Sequence, residues 1–368
     1  MALNDEIADA RRVIVTEGYD MSIGEIINLY RDNELQINPA YQRLFRWDPT
    51  RKARLIESIL LGLPLPPIFV YQRDDGVWEL IDGLQRVSTV LEFVGILKGA
   101  EGLALPGSRL EGTSFLPSLY NVGWEPSSPD MDDGIGTSLQ VQLKRARIRV
   151  EILKQESDPL IKYELFQRLN TGGINLSQQE VRNSVALMIN PQVHSALIGC
   201  AESPLFMQVI DQTDVAIERQ AHVELAVRFF AFRNVPYTQK LDVHEYLDRS
   251  LVELCTSQVI DLALEVNAFN RTFSLLAATL GNSAFKRWDG NAFSGKFLMS
   301  VFEVVALGVS RNIDAIEAMD SELRTEFLRV KCRDLWSKPE FLSYSGAGVR
   351  GTTRLANLLP IAPGYFLP

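Results

Sequence analysis

The amino-acid sequence predicts an α+β fold, a small mixed sheet with helices followed by a mostly helical domain. Three observations carry that expectation. Val77-Trp78-Glu79-Leu80-Ile81 is an apolar, β-prone run broken by Asp82-Gly83, after which Val87, Val90, Leu91, Val94 and Leu97 recur as one stripe of a helix. In Ala146 to Leu153, Ile148, Val150 and Ile152 alternate with Arg147, Arg149 and Glu151, the period of a half-buried strand with a largely basic outer face. From Pro191 onward the period is helical almost throughout, with no alternation long enough for another sheet. The expected division is 1–155 for the sheet-bearing domain, with an irregular insertion at 99–140, and 156–368 for the helical domain.

Taken in order, Ser22-Ile23-Gly24-Glu25 has the form of a capping box opening a short helix with Ile23, Ile26, Ile27 and Tyr30 inward. Leu35 to Asn38 is briefly extended. Asp48 as N-cap and Pro49 at the first helical position start a helix whose buried face is Leu55, Ile56, Ile59 and Leu60, and Gly62 ends it. Leu63-Pro64-Leu65-Pro66-Pro67 forces an extended path into a strand at Ile68 to Tyr71, and Asp74-Asp75-Gly76 makes a hairpin-like turn to the strand at Val77. Gly99 to Thr137, with Pro106, Pro117, Pro126 and Pro129, reads as an irregular excursion, a lid or partner-contacting insertion. After the strand at 146–153, a helix over Leu160 to Leu169 stops at Asn170-Thr171-Gly172-Gly173, where glycine accepts the left-handed conformation of a helix end. Ser177-Gln178-Gln179-Glu180 is a second capping box; its helix turns Val181, Val185, Met188 and Ile189 inward and closes at Asn190-Pro191.

At 368 residues the chain can hold two domains, and its net charge of −9 argues against a surface coated with phosphate-binding cations. Local basic clusters remain: Arg43, Arg46, Arg51, Lys52 and Arg54, then Lys144, Arg145, Arg147, Arg149 and Lys154. Either cluster also fits a solvated face. Three distant cysteines, Cys200, Cys255 and Cys332, offer neither a disulfide framework nor a metal knuckle, so a reducing cytoplasm is expected. The charged N-terminus has no apolar core of a signal peptide and no later run approaches a membrane span, so no membrane association is expected.

The change of period sets Gly83, Leu84, Gln85 and Arg86 at or near a helix start. There the first N–H groups lack intrahelical partners, the helix dipole favours an anion, Arg86 adds a planar cationic fork and Gly83 admits a ligand close to the backbone. This is the physics of a phosphate cradle; an ordinary strand-to-helix turn capped by Asp82, with Arg86 solvated, fits the same spacing. Upstream, Tyr41, Phe45 and Trp47 alternate with Gln42, Arg43 and Arg46, a mixture able to stack on a base and hold its phosphates or to form a half-buried loop. Downstream, the polar loop with Asn170, Gly172 and Gly173, together with Arg182, can reach back over the cradle or be a helix hairpin.

Ile81-Asp82-Gly83-Leu84-Gln85-Arg86-Val87-Ser88-Thr89-Val90 resembles the "DGQQR" signature of the DUF262 family, the N-terminal module of GmrSD-type modification-dependent restriction systems. Pro39 to Trp47 and Phe166 to Gly173, with Leu176, Glu180, Arg182 and Asn183, match in the same order, and Glu218-Arg219 and Phe285-Lys286-Arg287-Trp288 are similar to the helical remainder. Leu84 departs from the family by replacing the first Gln, which bears on hydrolysis. The resemblance implies a ParB/sulfiredoxin-like sheet and a nucleoside triphosphate as ligand, with Mg²⁺ as an optional companion. It implies Arg86 on the transferring phosphate, Gln85 orienting water and Asp82 holding a water or Mg²⁺. Gly83, Tyr41, Gln42, Arg43, Asn170, Gly172, Gly173 and Arg182 become nucleotide contacts, and Arg46, Arg51, Arg147 and Arg149 nucleic-acid contacts. The expected function is a nucleotide-binding, NTP-hydrolysing sensor module of a defence system acting on DNA, including modified DNA, with a separate nuclease subunit and self-association left open. The alternative is a non-hydrolysing DNA-binding or assembly subunit.

Other motifs carry less. Gly290 to Phe297 has the glycines and lysine of a phosphate-binding loop, but Phe297 stands where Ser or Thr would hold Mg²⁺. Gly346 to Gly351 is a lone GxGxxG without a βαβ unit. Asp130 to Gly134 begins like a calcium loop, yet Val141 holds the twelfth position. His194, His222 and His244 form no HNH-like pattern, and no cysteine lies near Asp82 to support sulfinate chemistry.

Overall fold

The computed structural model describes residues 16–37, 47–99, 102–154, 177–238, 241–346 and 348–368. They fall into two compact units, within Met1–Gly173 and within Ile174–Pro368. The expected boundary at 155, the helix expected over Leu160 to Leu169, and Tyr41, Gln42, Arg43, Arg46, Asn170, Gly172 and Gly173 lie outside the described residues.

The first unit is built on a five-stranded mixed sheet of order β1-β5-β3-β4-β2: β1 (Thr16–Ser22), β2 (Leu35–Gln36), β3 (Ile68–Gln72), β4 (Trp78–Asp82) and β5 (Arg147–Leu153). β5 runs antiparallel to β1 and parallel to β3; β4 is antiparallel to β3 and parallel to β2. The alternation of β5 does what its period demands: Ile148, Val150 and Ile152 enter the core, and Arg147 and Arg149 stay exposed. They meet Ile68 and Val70 of β3 and apolar residues from α1 (Ile23–Arg31), α2 (Pro49–Leu60) and α3 (Leu84–Val94). α1 and α2 start as their residues dictate: Ser22 accepts from the Glu25 N–H and Asp48 from the Arg51 N–H with Pro49 behind it.

The excursion after Lys98 differs from the expected lid. Leu110, Leu119, Trp124 and Ile135 are buried in the same core as the sheet, and Trp124 stands edge-on to Phe93 with ring centroids 5.7 Å apart. Thr113 donates to the half-hidden carboxylate of Glu57 on α2. These buried side chains and the bond to Glu57 pin the segment to the domain core. A helix unread in the sequence, α4 (Thr137–Arg145), leads into β5; it has no side-chain cap and buries only Leu143, which explains its faint signal.

The second unit is helical, as the period predicts, with one two-stranded ribbon. A full capping box on Ser177 and Glu180 opens α5 (Gln178–Ile189), and Asn190 caps α6 (Pro191–Ala201). Then follow α7 (Pro204–Ile210), α8 (Asp214–Glu218), α9 (Ala221–Asn234), α10 (Val243–Thr256), α11 (Leu262–Thr279), the ribbon β6 (Arg287–Trp288) with β7 (Phe293–Ser294), α12 (Met299–Arg311), α13 (Ile313–Glu317), α14 (Ser321–Asp334), α15 (Pro339–Ser345), α16 (Gly351–Leu358) and α17 (Ala362–Tyr365). α9 and α12 are buried on nearly all sides and carry the centre of the core, where Phe206, Phe229, Phe230, Phe269, Phe273 and Phe302 interlock. Among the described residues no single helix is long and apolar enough to cross a membrane.

Candidate functional site

The turn between β4 and α3 is shaped by a register shift. Val70 pairs with Leu80, but Phe69 pairs with Asp82, so Ile81 is the extra residue of a bulge and Asp82 is re-aimed at the strand's end. Gly83 follows with φ 98° and ψ 11°, the left-handed conformation, and caps α3 with no side-chain hydrogen bond. A Cβ there would come within 2.5 Å of Ile68 Cγ2, so backbone geometry and space both require glycine. The turn is therefore not the Asp82-capped kind: Gly83 takes the capping position, and Asp82 faces Arg86.

Arg86 Nη2 donates to the Pro67 carbonyl at 2.9 Å and to Asp82 Oδ2 at 3.1 Å. Its side chain is 18% exposed and that of Asp82 26%, so the pair is partly desolvated. Arg86 Nε is buried with no hydrogen-bond partner among the described residues. A buried guanidinium donor without a partner is unusual and sits here beside a helix start that has no side-chain cap. Gln85 Oε1 accepts from the Trp47 N–H at 3.1 Å, joining the last residue of the upstream motif to the first turn of α3. Leu84 packs partly buried against the apolar core.

Of the arginines expected to meet nucleic acid, Arg51, Arg147 and Arg149 are among the described residues and lie on two elements. Arg51, at the head of α2, is exposed and 3.4 Å from Asp48. Arg147 and Arg149 project from β5, and Arg149 Nε pairs with Glu151 at 2.8 Å, which raises the affinity of that guanidinium for its proton. Register places Asp82 opposite Phe69 and Phe69 opposite Glu151, so the Arg149–Glu151 pair shares a row of the sheet with Asp82, two strands or roughly 10 Å away.

Arg182 requires a correction. It is 0% exposed in the helical unit; Nε donates to Asp248 at 2.7 Å, Nη1 to Gln179 at 3.3 Å, and Nη2 to His244 Nδ1 at 3.1 Å. Its donors are spent on α5, α9 and α10, so it is a structural tie and not a phosphate contact in this structure. It belongs to a chain of alternating charges missed in the sequence: Asp248, Arg182, Glu224, Arg228, Glu303 and Arg354, each paired with the next. Burial alone would raise the Glu224 carboxyl, but Arg228 and Arg182 outweigh it and hold it below the usual range.

The remaining motifs resolve as structure. Gly290, with φ 108°, lies in the β6–β7 turn, where Asp289 accepts from the Asn291 and Ala292 N–H groups; no strand-to-helix phosphate loop forms. Asp133 accepts from Ser127 and Arg109, closing the loop that resembled a calcium site. Among the described residues no cluster of three or more His, Cys, Asp or Glu could hold a metal ion. All three cysteines are buried and free, and burial pushes the Cys200 thiol up to about 11 and those of Cys255 and Cys332 to about 12, so none is an activated nucleophile.

An α+β module with a bulged strand and a left-handed glycine before an arginine-bearing helix is thus the class that fold and site define. Residues 23–187 match the family model described as GmrSD restriction endonuclease, N-terminal domain, and in this stretch the chain is similar to that module. No curated protein and no solved structure matches the chain.

Proposed function

We propose that the module binds a nucleoside triphosphate at the Gly83 turn and serves as the nucleotide-dependent sensor of a system directed at modified DNA. The observation that carries this reading is the Arg86 guanidinium, half-hidden at an uncapped helix start with Nε buried and unpartnered. The amides of the first turn and the Arg86 fork would hold phosphate oxygens, with the dipole of α3 adding attraction. Gln85, bonded to the Trp47 N–H, joins the last residue of the upstream aromatic and arginine motif to that turn. Asp82 is one carboxylate already paired with Arg86, so Mg²⁺ fits here only with the phosphates supplying most of its oxygens. Arg46, Arg51, Arg147 and Arg149 would meet DNA, and strand cleavage would fall to a separate nuclease. Arg182 has no part in this reading.

The test is binding and phosphate release with ATP, GTP and CTP, with and without DNA. Arg86→Ala should weaken triphosphate binding by about tenfold or more, since hydrogen bonds to charged groups contribute about 1.5–3 kcal/mol. Arg86→Lys should restore part of it by keeping the charge without the fork. Unchanged binding in both variants would overturn the assignment. Leu84 favours a second reading, in which the module binds but does not turn over; retarded DNA without phosphate release would select it.

A further inference from the structure

A cleft of about 420 Å³ in the helical unit opens where the end of α11, the β6–β7 ribbon and α14 meet. Ser283, Trp288, Phe293, Glu326, Arg329 and Arg333 line it around an apolar floor. The volume lies within the range of small-ligand sites, about 300–1,000 Å³. Trp288 and Phe293 form an angled aromatic wall, with ring centroids 5.0 Å apart and planes at 66°.

The polar groups around that wall have donors and acceptors to spare. Arg329 donates through Nε to the Thr279 carbonyl at 3.2 Å, which orients the side chain while its terminal nitrogens have no partner among the described residues. Arg333 donates through Nε to Asp334, and its terminal nitrogens have no partner among the described residues. Glu326 lies three residues before Arg329 on α14, a spacing at which Glu and Arg commonly pair. Here the two form no ion pair, and the Glu326 carboxylate has no partner among the described residues. The ribbon is held by Asp289, which accepts from two backbone N–H groups and the Ser294 hydroxyl, so the Trp288 wall is preformed.

An aromatic face, two guanidinium groups with idle forks and an acceptor-only carboxylate define complementary chemistry. A flat ring would lie against Trp288, an anionic phosphate would take the arginine forks, and an exocyclic amine would donate to Glu326. We infer that this cleft binds a nucleoside 5′-phosphate, as a free nucleotide or as one residue of a single strand. It is a second site, separate in sequence from the Gly83 turn and independent of the triphosphate reading. Glu326 favours cytosine, adenine or guanine over thymine, which has no exocyclic amine.

The experiment is a fluorescence titration of the full chain, with Trp288→Phe identifying the Trp288 share of the signal. The probes are the four deoxynucleoside 5′-monophosphates and a short single-stranded oligodeoxynucleotide. Saturable quenching of Trp288 is expected, with thymidine monophosphate the weakest monomer. Quenching by monomers at concentrations no higher than the oligomer needs identifies a free-nucleotide site; much tighter response to the oligomer identifies a strand. The double variant Arg329→Ala, Arg333→Ala removes two exposed side chains and should raise the apparent dissociation constant by about tenfold or more. No quenching by either probe, or quenching indifferent to the double variant, overturns the site. Because Trp288 reports locally, that failure would leave the Gly83 reading untouched.

Discussion

Gly83 is where one residue's stereochemistry decides the site. At φ 98° any side chain is strained, and a Cβ would also meet Ile68 Cγ2 at 2.5 Å in a buried part of the sheet. Gly83→Ala should therefore cost about 1–3 kcal/mol of stability, read as a lower urea midpoint. It should also pull the first amides of α3 away from their present aim, reducing triphosphate binding beyond what the stability loss accounts for. A fully stable variant would mean that the turn relaxes freely and has no fixed geometry. At this scale Asp82-Gly83 was legible because the strand period stops there and the helix period starts. The bulge at Ile81 was not, since it arises from pairing with β3 and has no local residue signature. The Asp82–Arg86 pair and the free Arg86 Nε likewise depend on where Pro67 delivers its carbonyl.

Elements were legible where burial is one-sided and caps are explicit. α1, α2 and α5 announce themselves through Ser22, Asp48-Pro49 and the Ser177–Glu180 box, each making the bond its type suggests. β1 escaped notice because Thr16–Ser22 buries only Met21 and owes its existence to pairing with β5. The charged chain through α5, α9, α10, α12 and α16 escaped for a different reason: charges on a helix usually mark the solvated face, whereas Glu303 is 0% exposed between Arg228 and Arg354. The consequence can be measured. Glu303→Ala leaves two guanidinium groups facing each other with their common anion removed, and should cost about 3–5 kcal/mol in denaturant melts. Glu303→Gln keeps the volume and one acceptor oxygen, while its amide NH2 replaces the other, and should lose less. Equal, small losses in both would mean that water reaches the chain and solvates the arginines.

For the whole molecule, pH tests which of two electrostatic effects dominates. Net charge is −9 with histidines neutral, so protonating all three would bring it to −9 + 3 = −6, and diminished self-repulsion predicts greater stability in mild acid. The histidine environments predict the opposite. His194 is pushed below the usual 6.5 by burial, His222 by burial against the pull of Glu202, and His244 by burial and then by Arg182. Arg182 can only donate, so His244 Nδ1 must accept, and protonating that nitrogen breaks the 3.1 Å contact and sets two cations together. A group with a lowered folded value binds fewer protons folded than unfolded below its ordinary pKa. Its stabilising contribution is complete above about 6.5 and is lost as pH falls through the folded values. Local desolvation should outweigh dilute surface repulsion, because the repelling charges are screened over roughly 8 Å at physiological salt while the buried imidazoles are not. The melting temperature should therefore fall between pH 7.5 and pH 5.5, and His244→Gln should flatten that dependence. A melting temperature that rises on acidification would mean that surface repulsion governs and that the imidazoles gain their protons without cost.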